Sequence, residues 1–412
     1  MTRLCCLCER SEAISYDVRL TRYAYACPDG TRFAVRLFIE ATFAIIYLVG
    51  HSRASDRTIL ATLLGLNTDE LRALARAEGE PAYRGSQLAE WLYRRGARTF
   101  AQMTNLPEAL GVRLAQKYEV GCPRIVTVQH SRDGTVKLLL ALRDGATVET
   151  VGMPYSDRFS CCISTQVGCR MGCVFCATGL SGYTRDLTAG EIVAQVLAVQ
   201  EVVSTHAPPD KDGGIRVDHV TVMGMGEPLL NYAATVKAVR LLGNESGISL
   251  RHITVSTSGY VLGIRRLARE KLPITLAVSL HAATDDLRRK LIPGMTRWRV
   301  ADIIDACRDY VAQTGRRVTF EYCLLDGVND RDADARQLVI VLRGLNCHVN
   351  LIPYNPVPGL DFNSSSPKRV RAFRNILNDA GIQVTQRVQR GADIDAACGQ
   401  LRRREVAATP KP

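Results

Sequence analysis

Three cysteines, Cys169, Cys173 and Cys176, stand at C-x3-C-x2-C spacing, with Gly168 before the first and Gly172 between the first two. Thiols this close cannot serve three separate structural roles. They suit one compact soft-metal site, because thiolates select iron–sulfur, zinc or copper(I). A closed iron–sulfur or zinc site takes four protein ligands, so three at fixed spacing leave one coordination position open. No His lies near, and the nearest Asp is Asp186, which argues against a mixed zinc site. The bland alternative is three cysteines packed as small apolar side chains. On the metal reading, the fold has to present one loop of thiols beside a space where a second ligand can bind.

Downstream, the pattern alternates between strands and helices. Strand candidates are residues 161–166, 219–223, 252–256, 274–279, 319–324 and 348–352. Between them run amphipathic helices, the clearest opened by a capping box at Thr188 and Glu191, with Ile192, Val196, Val199 and Val203 on one face. Six βα units predict an α/β fold, a parallel barrel or partial barrel (β/α)6. Reacting groups in such barrels collect at the C-terminal ends of the strands. There the chain places Gly226 and Glu227 in Met-Gly-Met-Gly-Glu-Pro, Ser256, the run Ser279-Leu280-His281, and Asn355. The glycine run lacks G-x-G-x-x-G spacing, so it is no dinucleotide fingerprint. Each of these groups alone is more often a capped turn than a ligand contact.

Ahead of the barrel lie three other regions. Residues 1–55 supply neither a complete metal site from Cys5, Cys6, Cys8 and Cys27 nor a comfortable membrane span, since residues 33–49 are interrupted by Arg36 and Glu40. A poorly ordered extension is expected there. Residues 56–120 read as a small helical accessory domain, capped at Asn67 or Thr68, whose arginines mix with Tyr83 and Tyr93 in a pattern able to hold phosphates and stack bases. Residues 121–154 switch to period two, with turns at Asp133-Gly134 and Asp144-Gly145, as a β-strand linker. Glu149 stands inside its last strand, where a generic Glu points to solvent. Residues 155–390 form the barrel core and 391–412 a C-terminal segment. The net charge of +12 implies an anionic partner, nucleic acid before membrane. Fourteen cysteines without a signal peptide fit a reducing cytoplasm.

The three-cysteine spacing is the signature of the radical S-adenosylmethionine (SAM) superfamily. The wider run Cys-Ile-Ser-Thr-Gln-Val-Gly-Cys (162–169) through Cys-Ala-Thr-Gly (176–179) resembles the RlmN/Cfr family of RNA adenine methyltransferases, as does the distant Arg-Gly-Ala-Asp-Ile-Asp-Ala-Ala-Cys-Gly-Gln-Leu (390–401). The resemblance spans about residues 58–404. It implies a 4Fe–4S cluster on Cys169, Cys173 and Cys176, and SAM, two molecules per turnover, contacted by Gly226, Glu227, Ser256, Ser279, Leu280, His281 and Asn355. It further implies that Cys398 is methylated and carries the methyl group to the base. Cys162 then attacks the Cys398 sulfur to release the product and leave a disulfide, and Glu149 occupies the family's proton-acceptor position. Cys161, beside Cys162, departs from the family pattern. Implied partners are 23S rRNA, a tRNA and an external electron donor, with no membrane and a monomeric chain. The 390–395 run looks closer to the branch that methylates adenine C2 than to the antibiotic-resistance branch that methylates C8. Two rivals remain at this point: a radical SAM enzyme acting on a non-RNA substrate, and a non-catalytic RNA-binding protein with a structural metal.

Overall fold

The computed structural model describes residues 60–206, 215–388, 390–391, 393–394 and 399–402. The expectation for residues 1–55 and the carrier role for Cys398 therefore lie outside the described residues.

The accessory helices sit between two short parallel strands, β1 (Ala61–Thr62) and β2 (Tyr118–Glu119). The helix Thr68–Ala77 starts at Asn67, whose side chain accepts from Glu70 N at 2.8 Å while Glu70 Oε2 accepts from Asn67 N at 2.7 Å. That reciprocal pair satisfies two backbone donors the helix would otherwise leave open. Tyr83 is exposed (54%), as a base-stacking ring requires. Tyr93 is not: it is 2% exposed, and its hydroxyl accepts from Gly65 N at 3.0 Å and donates to Leu66 O at 2.6 Å. The expected pair of outward tyrosines is thus one, because the Gly65 turn claims the other.

The antiparallel strands β3 (Arg124–His130), β4 (Val136–Ala141) and β5 (Thr147–Pro154) continue into β6 (Phe159–Cys162), and all four belong to the main sheet. The chain then leaves that sheet as a hairpin of β7 (Gln166–Gly168) and β8 (Tyr183–Asp186), which brackets the three cysteines. It returns as β9 (His219–Val222), β10 (Ile253–Thr257), β11 (Thr275–Ser279), β12 (Val318–Leu324), β13 (Cys347–Pro353) and β14 (Gln383–Gln386), all parallel to β6. The ten strands run β14-β13-β12-β11-β10-β9-β6-β5-β4-β3, an open mixed sheet. Helices between the parallel strands cover its outer face, against Val318, Phe320, Tyr322 and Leu324 of β12. The alternate residues Glu321 and Cys323 face inward, as the period of two requires.

The α/β partial barrel expected from the sequence is present, with two differences. A seventh parallel strand, β14, extends the six. The strand read as 161–166 is split, because Ser164 N and O bond the Gln195 side-chain amide (both 2.8 Å) instead of a neighbouring strand. Among the described residues, no helix is long and apolar enough to cross a membrane.

Candidate active site

The cysteine loop begins where β7 ends. Gly168 (φ +81°) passes so close to the hairpin's far side that a Cβ would lie 1.9 Å from Gly182 O, so only glycine turns the chain there. Backbone bonds then hold the loop: Cys169 N to Gly182 O (2.8 Å), Val174 N to Leu291 O (3.1 Å) and Gly294 N to Met171 O (2.8 Å). Burial pushes the Cys169 thiol up to about 12 and the Cys173 thiol well above its ordinary value, and the charge of Cys176 adds to both. Burial thus disfavours the thiolate at Cys169 and Cys173, and a bound cation would favour it. Among the described residues, no three His, Cys, Asp or Glu side chains converge closely enough for a single ion. Yet Cys173 senses the charges of both Cys176 and Cys169. Three Cys thiolates are the ligand type that holds iron–sulfur clusters.

Beside the loop lies a residue that sequence reasoning missed. Arg288 is buried; its Nη2 donates to Ser258 O and, at 3.4 Å, to Ser279 O, while its Nε has no partner. Burial lowers its pKa to about 10 against the opposing charges of Cys173, Glu227 and Asp285. It remains a cation at neutral pH, set among groups that carry or develop negative charge. The sequence signal was Asp-Asp-Leu-Arg-Arg-Lys, which reads as a solvated helix.

A cavity of about 320 Å3 opens at the strand ends, lined by Cys162, Cys176, Ser256, Ser279, His281 and Asn355 among the residues singled out from sequence. His281 adopts a left-handed backbone (φ +56°). Its Nδ1 accepts from Cys323 N at 3.0 Å, and its ring stands edge-on to Phe175 at 5.0 Å. Burial, aided by Arg288, pushes its pKa down to about 3, so the ring is neutral and its proton sits on Nε2, a hydrogen-bond donor. Glu321 also lines the cavity, buried, with Oε2 accepting from Asn350 Nδ2 at 2.8 Å; burial raises its pKa.

Gly226, Glu227 and Leu280 stand behind this wall. Gly226 (φ +106°) lets the loop fold over Gln166, and the Glu227 carboxylate accepts from Leu229 N (3.1 Å) and Ser258 N (2.6 Å), binding the loops after β9 and β10 together. Burial raises the Glu227 pKa. Leu280 is core, its N donating to Glu321 O. Cys161 and Cys162 part company on β6: Cys162 faces the cavity, and Cys161 lies in the core with Thr150 Oγ1 at 3.5 Å. Glu149 is buried outside the cavity wall, and its carboxylate meets Lys137 Nζ (2.9 Å), Gly399 N (2.6 Å) and Arg402 N (2.6 Å).

Comparison with known proteins shows the family. Residues 163–339 match the radical SAM superfamily, and residues 61–120 match the ribosomal RNA large subunit methyltransferase N-terminal domain. A three-thiol loop at the mouth of an open α/β barrel, within that match, defines a radical SAM enzyme, whose cofactors are a 4Fe–4S cluster and SAM. The chain is 49% identical over 345 residues (84% of it and 96% of the relative) to the probable dual-specificity RNA methyltransferase RlmN of Gloeobacter violaceus. It is 48% identical over 346 residues (84% and 99%) to that of Thermosynechococcus vestitus. The crystal structure of a radical SAM methyltransferase from Sphaerobacter thermophilus superposes with a TM-score of 0.79 at 48% identity, covering 82% of this chain and 98% of that one. The chain belongs to the RlmN family.

Proposed function

We propose that this SAM-dependent RNA methyltransferase acts on C2 of one adenine in the peptidyl-transferase centre of 23S rRNA and on C2 of an anticodon-adjacent adenine in some tRNAs, as a cytoplasmic monomer. The observation that carries the reading is the Cys162 thiol on the wall of the same cavity as the cluster cysteine Cys176. A thiol there has no use in simple cofactor binding but is needed to cut a protein–base adduct.

Adenine C2 is electrophilic, so the cationic methyl of SAM cannot pass to it by ordinary displacement. Cys169, Cys173 and Cys176 would hold the cluster, which together with SAM would supply the radical chemistry that an unactivated ring carbon demands. The chain's own groups do the rest. His281 Nε2–H, the Ser256 and Ser279 hydroxyls and Asn355 offer donors and acceptors for the cofactor's ribose, carboxylate and adenine. Glu227 braces the loop that approaches its amino group. Cys398 accepts a methyl group as thiolate and presents it to the base. The carrier carbon would lose one hydrogen atom to the radical chemistry and bond to C2, the adduct giving up one electron and the C2 proton as the ring regains aromaticity. The Cys162 thiolate then attacks the Cys398 sulfur, and a sulfur–sulfur bond forms as the carbon–sulfur bond breaks. The electron pair of that bond stays on the carbon, which takes a proton to become the methyl group, and an external reductant returns two electrons to restore both thiols. A separate electron donor serves the cluster. The exposed Tyr83, with the Arg84 guanidinium 4.8 Å above its ring, belongs to the RNA-facing surface of the accessory helices.

The test is product analysis. RNA methylated by the purified, anaerobically reduced enzyme is digested to nucleosides and co-eluted with authentic 2-methyladenosine and 8-methyladenosine. The 2-isomer is expected. An 8-methyl product would move the chain to the resistance chemistry.

A further inference from the structure

The C-terminal segment is gripped at two places, both on the antiparallel strands β3–β5. At one, Asp133 Oδ2 accepts from Gly391 N at 3.0 Å, and the Asp393 carboxylate takes Ser131 Oγ and, at 3.0 Å, Arg132 N. These three partners form the turn between β3 and β4. At the other, Glu149 Oε2 receives Gly399 N and Oε1 receives Arg402 N, both at 2.6 Å, while Arg402 Nε reaches Thr147 Oγ1 at 3.3 Å. Leu401 between them is fully buried. The Glu149 charge is itself balanced by the wholly buried Lys137, on the neighbouring strand. A buried ion pair of this kind is expensive to desolvate and holds only with further hydrogen bonds to its free lone pairs. Here those bonds come from the C-terminal backbone.

We infer that β3–β5 act as a docking clamp for the C-terminal segment, with Glu149 its positioning residue and not the reaction's proton acceptor. Both carboxylate oxygens already accept from donors, and the residue is no part of the cavity wall. A general base must come within hydrogen-bond reach of the proton it takes, whereas the three donors on Glu149 hold its carboxylate towards Lys137 and the C-terminal backbone. Asp133, on the opposite grip, does the same work without any plausible proton-transfer role. The inference draws on the reading of Cys398 as methyl carrier only for its effect on turnover.

The test compares wild type, Glu149→Gln and Asp133→Asn, as full chains, by hydrogen exchange of peptides covering residues 390–402 and by the pH profile of methyl transfer. The clamp predicts that both variants exchange tenfold or more faster in that segment. Peptides from β9–β13 stay protected, and both variants lose turnover with the shape of the pH profile unchanged. Wild-type exchange in Glu149→Gln, with one limb of its pH profile lost and Asp133→Asn fully active, would overturn the inference and restore the proton acceptor. Should Glu149→Gln fail to fold around an unpaired Lys137, Lys137→Met/Glu149→Leu removes both charges, and the same faster exchange is required of it. A product other than 2-methyladenosine would leave every exchange result standing.

Discussion

Replacing Cys162 by alanine tests the division of labour between thiols most directly, because a second thiol stands one residue away. Whether Cys161 can substitute is a question of ionisation and direction. Burial pushes the Cys161 pKa up to about 12, whereas an ordinary thiol sits near ~8.5. At pH 7 the ordinary thiol is about 3% thiolate and Cys161 roughly one part in 100,000, a deficit of about 3,000-fold. A more basic thiolate is intrinsically the better nucleophile; with a Brønsted slope of ~0.4–0.5 that returns roughly 25- to 55-fold. Against such an ordinary thiol the net handicap is on the order of 100-fold, before any cost of turning a core side chain to the cavity face. Cys162→Ala should therefore be methylated, attack the base, and stall as protein joined covalently to RNA. On a denaturing gel after SAM, reductant and substrate RNA, a shifted, nuclease-sensitive band is expected for Cys162→Ala and absent for Cys398→Ala and for Cys162→Ala/Cys398→Ala. Since the Cys161 thiolate gains about tenfold per pH unit well below its pKa, any slow release should speed up about tenfold from pH 7 to pH 8. Turnover by Cys162→Ala at more than about a tenth of the wild-type rate would refute the reasoning.

Two further changes probe the frame of the site. Gly226→Ala would force a side chain into positive φ, at about 1–2 kcal/mol, with its Cβ 2.7 Å from Gln166 Cβ and Cγ; denaturant titration should show that loss of stability, and equilibrium binding a weaker affinity for SAM. Arg288→Met removes a buried cation beside Cys173, so the midpoint of the cluster in an EPR-monitored redox titration should become more negative, and an unchanged midpoint would deny the residue any electrostatic part.

What the sequence made legible was chemistry written in local spacing. The thiol loop, the capping box at Thr188 and the alternation of six βα units all depend on residues within a few turns of one another, and the fold and cofactors follow from them. The residues it misplaced have partners far along the chain. Tyr93 shares an arginine-rich stretch, yet its hydroxyl is consumed at Gly65 and Leu66. The strand expected over 161–166 breaks because Gln195, on a later helix, takes both backbone groups of Ser164. β14 carries a single apolar residue in Gln-Val-Thr-Gln and pairs only because it lies at the sheet's edge against β13. Arg288 reads as one of three basic residues on a surface helix until the cysteine loop folds over it.

Glu149 shows the physical reason for this division. A carboxylate in a strand is stable in solvent on its own terms, and local pattern sends it there. It can be buried only if other groups replace the water it gives up, and a lone buried charge would be prohibitive. Lys137 supplies the charge from the adjacent strand, while Gly399 and Arg402 supply backbone donors from about 250 residues away. Neither partner alone saturates the carboxylate, so its burial and the seating of the C-terminal segment are a single event. Asp133, by contrast, is exposed, so its bond to Gly391 N competes with water and is less costly to break. The Asp133 end should therefore open before the Glu149 end.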